Sequence, residues 1–396
     1  MPFIGNKPTA IPLSADDLED NIISTAKIQD NAVTAAKYIE PVPFRNIIIN
    51  GDMSIAQRGT SFTSLAGVSQ YNLDRWETIG INVGSGRYQI DQSTDTPTGF
   101  TYSQKISCTT AEASQDVNNQ LYLEQQIEGL NSSYLNYYVA SPDTVTLSFW
   151  VKSNLTGSYS VALKLSDNSS AIDAGATRIY PTTYSISSAN TWEKKTVTIT
   201  LDSATTETKV VNNGFAVATQ FWLGAGTSRD GETTNAWKNN ANATATSDNL
   251  NLLGSTSNEW YITGVQLEAG TTASDFEFLP HDVNLQRCLR YYELLGSGDN
   301  YPLFNAFNHT STALYSVAST QVVMRTNPSV DQTTGTSYYR FIVNGSNDFF
   351  DSISVDTPRT NSIELFNSSE ISGTAGQAGW VRLNNASSYL ALDSEL

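Results

Sequence analysis

Residues 144–153 read TVTLSFWVKS, placing Val145, Leu147, Phe149 and Val151 on one side of a two-residue repeat and Thr144, Thr146, Ser148, Trp150 and Lys152 on the other. Such a segment is a strand with one packed face and one partly wet face. The same period recurs in SYSVALKL (158–165), WEKKTVTITL (192–201), GFAVATQFWLGAG (214–226) and EWYITGVQLEAG (259–270), and at 86–90, 103–107 and 121–129. So many short strands in succession predict a two-sheet sandwich closed as a jelly roll. Only 15% of the 396 residues are charged, against many Ser, Thr, Asn, Tyr and Phe, which is the composition of strands and turns. The class expected is all-β.

Both ends of the chain depart from this pattern. NIISTAKIQDNAVTAAKY (21–38) nearly repeats itself with a shift of ten, yet its few large apolar side chains cannot offset the ~1–2 kcal/mol per residue of backbone ordering. Identical copies wound together could bury Ile23, Ile28 and Val33 between chains. Residues 1–40 are therefore expected to be a fibrous, oligomer-forming stalk led by an attachment peptide, with Phe3, Ile4, Ile11 and Leu13 as attachment residues. The jelly roll is expected over 41–280. Leu285, Cys288, Leu289 and Tyr292 follow helical spacing, which predicts a connecting helix within 281–298, from about Asp282 to Leu295 and stopped by Gly296-Ser297-Gly298. Strands return at 313–319, 321–326, 337–345, 347–356, 361–368 and 379–396. They make a smaller C-terminal β-sandwich over 299–396, with Asn344-Gly345 as a tight turn.

The chemistry left open is narrow. The formal charge is −17, from 22 Lys plus Arg against 39 Asp plus Glu, and no basic stripe is evident, so no nucleic-acid partner is expected. No apolar run spans a bilayer, and the opening MPFIGNKPTAIPL lacks the features of a secretory signal. Cys108 and Cys288 are expected to be free thiols. His281 and His309 have no ligand-spaced partners and no phosphate-binding glycine loop occurs, so neither a metal nor a cofactor is expected. Glycosidic cleavage needs only two carboxylates, for which Glu124 with Glu128 or Asp275 with Glu277 are candidates; solvated strand residues are the better reading of Glu124, Gln126 and Glu128. No enzyme is expected. Asp74-Arg75-Trp76 reads as a strand start whose charged pair closes on itself while the indole enters the core. Trp237 stands in a polar loop where it can stack on a sugar ring, with Asp230, Asn235 and Lys238 placed to bond hydroxyls.

Taken together, MPFIGN, the ten-residue repeat, NIIINGDMSIAQRGTSF, YNLDRW, VTLSFWVKS, NTWEKKTVTI, WYITGVQLEAGTTASDFEF and QRCLRYYE resemble tail-fibre and related appendage proteins of tailed bacteriophages, chiefly those of marine bacteria and cyanobacteria. The resemblance covers roughly 1–295. It implies a homotrimer fixed through its N-terminus to the virion tail or another phage structural protein, binding host surface polysaccharide during adsorption and assembled in the bacterial cytoplasm. A monomeric carbohydrate-binding module or adhesin is the alternative, and a glycan depolymerase a further one. The central part also resembles carbohydrate-binding jelly rolls that hold a structural calcium. In the matching segments, Asn50–Ser54 and Thr263–Val265, the acidic ligands are missing and Asp52 alone remains.

Overall fold

The computed structural model describes residues 44–166, 177–230, 234–239, 245–246 and 249–396. Within it, Phe44–Leu396 form one compact unit. The anchor candidates Phe3, Ile4, Ile11 and Leu13 and the repeat-core candidates Ile23, Ile28 and Val33 lie outside the described residues.

The all-β class holds. Strands β1 (Ser61–Leu65), β4 (Arg87–Ser93), β5 (Ser103–Thr110), β13 (Glu259–Ala269), β7 (Thr144–Ser153) and β10 (Glu193–Thr200) pair in that spatial order as one antiparallel sheet. The second sheet runs β12 (Lys238–Asn239), β9 (Thr177–Ile186), β8 (Gly157–Ser166), β11 (Phe215–Ala225), β6 (Gln120–Glu128), β3 (Glu77–Ile81) and β2 (Ser69–Tyr71). Leu147, Phe149 and Val151 from the first sheet meet Leu123, Leu163 and Phe221 from the second in one core, the jelly-roll sandwich that the alternation foretold. Trp76, Trp222 and Trp260 are fully buried in this lobe.

The C-terminal lobe is a smaller sandwich. Its three-stranded sheet is β14 (Tyr292–Ser297), β23 (Tyr389–Asp393) and β17 (Ser329–Gln332). Its seven-stranded sheet is β19 (Ser346–Phe350), β18 (Tyr339–Val343), β22 (Ala378–Leu383), β15 (Pro302–Asn308), β16 (Leu314–Ser319), β21 (Ser362–Asn367) and β20 (Ser354–Arg359). Asn344 and Gly345, both at positive φ, close the hairpin between β18 and β19 as their dipeptide requires.

Several local expectations are corrected. Besides a single turn at Gly129–Ser132 (α1), the helix α2 spans only His281–Leu289. Tyr292 to Ser297 is a strand, because ladder bonding to β23 outweighs the helical preference of Glu293 and the two leucines. Residues 321–326, expected as a strand, form bends: Met324 and Arg325 give their N–H groups to Thr360 and Arg290 rather than to a ladder. The outer face of β7 is only partly wet, as its alternation implied: Thr144 and Trp150 are half-buried, while Thr146, Ser148 and Lys152 are buried between the flanking strands β13 and β10. Cys108 and Cys288 are buried free thiols, as expected.

Trp76 enters the core as predicted, but Asp74 and Arg75 do not close on each other. Arg75 sits at φ 72°, which turns the two side chains apart. Asp74 accepts from the Gln57 backbone N–H at 2.8 Å, while Arg75 pairs with Glu395 and lies 3.6 Å over the Tyr291 ring.

Candidate functional site

The two lobes meet along β2, the 57–59 turn, β14, β17 and β23, leaving an open cleft of about 780 Å³. Pairing aims the residues of this wall. Tyr71 ends β2, Tyr292 begins β14, and Tyr389 begins β23, whose alternation puts Leu390 and Leu392 into the core. The lining includes Phe62, Tyr71, Tyr292, Tyr389, Arg58 and Asp331.

Polar groups in the cleft are held in place. Asp331 accepts from Tyr389 Oη at 2.8 Å and from Tyr292 Oη at 3.1 Å. Burial, reinforced by Asp331, pushes the Tyr389 phenol up to about 12, so it remains a donor at any ordinary pH. Arg58 lies 3.5 Å from the Tyr292 ring centroid and reaches Asp393 at 3.2 Å and Glu395 at 3.3 Å. Burial raises the Asp393 carboxyl, with Arg58 opposing. The guanidinium is thus already neutralised, and the cleft offers fixed rings and planar polar groups with no spare cation. Chemically it suits a neutral, hydroxyl-rich ligand with apolar C–H faces.

One wall continues as a row across the second jelly-roll sheet, where Tyr71 faces Glu77, Glu77 faces Glu124, and Glu124 faces Gln220. Burial first, and Glu124 second, push the Glu77 carboxyl up to about 7, against the pull of Arg58 and Arg75. The folded chain therefore holds a proton that the unfolded chain releases near 4.5, so stability falls as pH rises through that window and the full cost remains above it. Glu77→Gln should raise the unfolding free energy at about pH 8 by at most ~3 kcal/mol and leave it unchanged near pH 4.5. Denaturant titrations at both pH values measure this; an equal effect at the two would refute it.

Of the carboxylates weighed for glycosidic cleavage, Glu124, Glu128 and Glu277 are engaged structurally. Glu124 and Glu128 are buried rather than solvated, four residues apart on one strand, or roughly 13 Å. Gln126 and Gln220 hold Glu124, and Arg290 grips Glu128 through Nε at 2.7 Å and Nη2 at 3.0 Å. Alternation suggested a wet face, but Ala245, Thr246, Arg290 and Tyr291 pack across it. Glu277 is taken up by the Phe44 and Asn46 backbone N–H groups. Asp52 accepts from Ser54 at 3.0 Å and Asn284 at 3.1 Å.

The residues singled out around Trp237 are only partly brought together. Trp237 and Asn235 line a separate open shelf of about 470 Å³ with Tyr180, Thr198 and Thr200. The indole is half-buried, 5.4 Å from the Tyr180 ring, and its Nε1 donates to the Thr200 carbonyl at 2.8 Å. Asn235 accepts from Thr182 at 2.7 Å. Lys238 sits in β12 opposite Ile179, and Asp230 closes a turn on Gly226; neither lines the shelf. The inter-lobe cleft carried no sequence signal, because its walls lie more than 200 positions apart.

No protein family matches the chain, and no curated protein is similar to it. Among solved structures it is similar to the enzymatically active domain of tailspike protein 4 of bacteriophage CBA120 (12% identity, TM-score 0.28), covering 58% of this chain but only 22% of that one. It is also similar to a family 11 carbohydrate-binding module from Clostridium thermocellum in complex with a tetrasaccharide (8% identity, 54% and 99% covered, TM-score 0.28). A third is a xylan-binding domain from Paenibacillus barcinonensis (8% identity, 54% and 95% covered, TM-score 0.25). Likenesses this slight carry no argument about this chain's own ligand.

Proposed function

We propose that this chain is a receptor-binding fibre protein of a tailed-phage virion, which attaches to neutral cell-surface glycan in the cleft between its lobes. The observation that carries the reading is the cleft itself: Tyr71, Tyr389 and Phe62 supply ring surfaces, Asp331 and Asp393 supply acceptors, and Arg58 is already paired. The tandem repeat at 21–38 supports a trimer, in which weak single sites gain avidity. The protein binds and does not cleave, a reading supported by Glu124, Glu128 and Glu277, which are tied to Gln220, Arg290 and backbone N–H groups.

Titration of the full chain with neutral oligosaccharides tests this. Tyr389→Ala should weaken binding at least tenfold, equivalent to about 1.4 kcal/mol, while Trp237→Ala should change it less than threefold. Equal binding by the Tyr389 variant would remove the cleft from the account. Light scattering should give three times the chain mass, falling to one on deletion of residues 1–40; a monomeric full chain would leave a solitary binding module.

A further inference from the structure

In the seven-stranded sheet of the C-terminal lobe, Tyr339, Phe341, Val381 and Leu383 are fully buried. Alternation therefore puts Arg340, Ile342, Trp380 and Arg382 on the opposite, outer face. Register makes them neighbours: Arg340 stands across from Arg382 on one side and from Phe349 on the other, and Ile342 across from Trp380. Trp380 is 44% exposed and Phe349 43% exposed. The two rings stand on strands either side of β18, flanking Arg340 and Ile342 on this face.

The two arginines are the stronger sign. Like charges directly opposite on adjacent strands repel, and directly opposed side chains have Cβ atoms only ~4.5–5.5 Å apart. Arg340 gives one N–H to Asn300 Oδ1. Among the described residues neither Arg340 nor Arg382 takes part in an ion pair, although the chain carries an excess of 17 negative charges. Both Nε atoms are buried without a hydrogen-bond partner. Two adjacent forks of N–H donors lacking a counter-charge match a planar oxyanion held by paired hydrogen bonds. Rings on either flank then select an anion carried on a sugar, whose C–H faces they can cover.

We infer that this outer face binds an acidic saccharide, with Arg340 and Arg382 taking its carboxylate and Trp380 and Phe349 receiving the flanking ring faces. The site rests on the saccharide-binding reading above and adds to it a preference for acidic ligands that the cleft lacks.

The test is calorimetric titration of the full chain with galacturonate, glucuronate and sialyl oligosaccharides and with their neutral counterparts. At least one acidic oligosaccharide should bind at least tenfold tighter than its neutral counterpart and weaken as salt is raised. Arg340→Gln with Arg382→Gln should abolish that preference, and Trp380→Ala, an exposed change that leaves the core intact, should weaken acidic binding at least fivefold. Tyr389→Ala should leave acidic binding unchanged. Acidic binding indifferent to the double arginine variant and to Trp380→Ala overturns the inference. Binding of neutral sugars alone overturns the inference but keeps the cleft; binding of neither class overturns both.

Discussion

Trp76→Ala should lower the unfolding free energy by about 4–6 kcal/mol, a large part of the ~5–15 kcal/mol that holds a typical domain. The indole has no solvent exposure and lies 6.4 Å from the Phe221 ring, at the centre of the core shared by both jelly-roll sheets. Its loss opens a cavity walled by rigid strands that cannot collapse into it. It also removes the Nε1 donor to the Asn50 carbonyl at 3.0 Å. Asn50 is a hinge of the local structure, for its side chain bonds both the N–H and the carbonyl of Ile55 and the carbonyl of Asp74. Trp76→Phe separates the two effects: it keeps most of the volume, so it should cost less than half as much, through the smaller ring and the lost Nε1 bond, while the Asn50 carbonyl keeps the Met53 N–H at 3.1 Å. Urea unfolding followed by fluorescence reads both variants. A loss under 2 kcal/mol for the alanine variant would show that the core relaxes where this packing says it cannot.

Glu395→Ala is expected to be nearly as costly, at about 3–5 kcal/mol. Arg75 is only 1% exposed, and Glu395 is its sole carboxylate partner among the described residues. Without it a guanidinium stays sealed in the junction with the Gln126 carbonyl and the Tyr291 face, which do not neutralise it. Glu395 also anchors Arg58, so the change should loosen the cleft as well as the junction. Removing both charges together, as Arg75→Met with Glu395→Leu, should recover most of the loss, because the penalty comes from one unmatched charge rather than from the missing attraction. A double variant no better than Glu395→Ala alone would place the cost in packing instead.

The same junction shows why strand content is easier to read than a site. Period-two alternation at 144–153, 158–165, 192–201, 214–226 and 259–270 determined the jelly-roll strands, since a strand has only two faces and one of them must be apolar. Asn344-Gly345 determined its turn because those residues adopt positive φ at little cost. Alternation names the residues that share a face, however, and is silent on what covers it. Glu124 and Glu128 are buried because segments from around 245 and 290 pack over their strand. Tyr292–Ser297 is a strand because β23 offers a ladder. The cleft of Arg58, Tyr71, Tyr292, Asp331 and Tyr389 and the side-by-side placement of Arg340 and Arg382 exist only once distant strands pair. Register and lobe packing are many-body outcomes of burying apolar area. The sequence alone determined most of the jelly-roll strands; the tertiary structure decided the exceptions at 292–297 and 321–326, which polar residues meet one another, and which meet water.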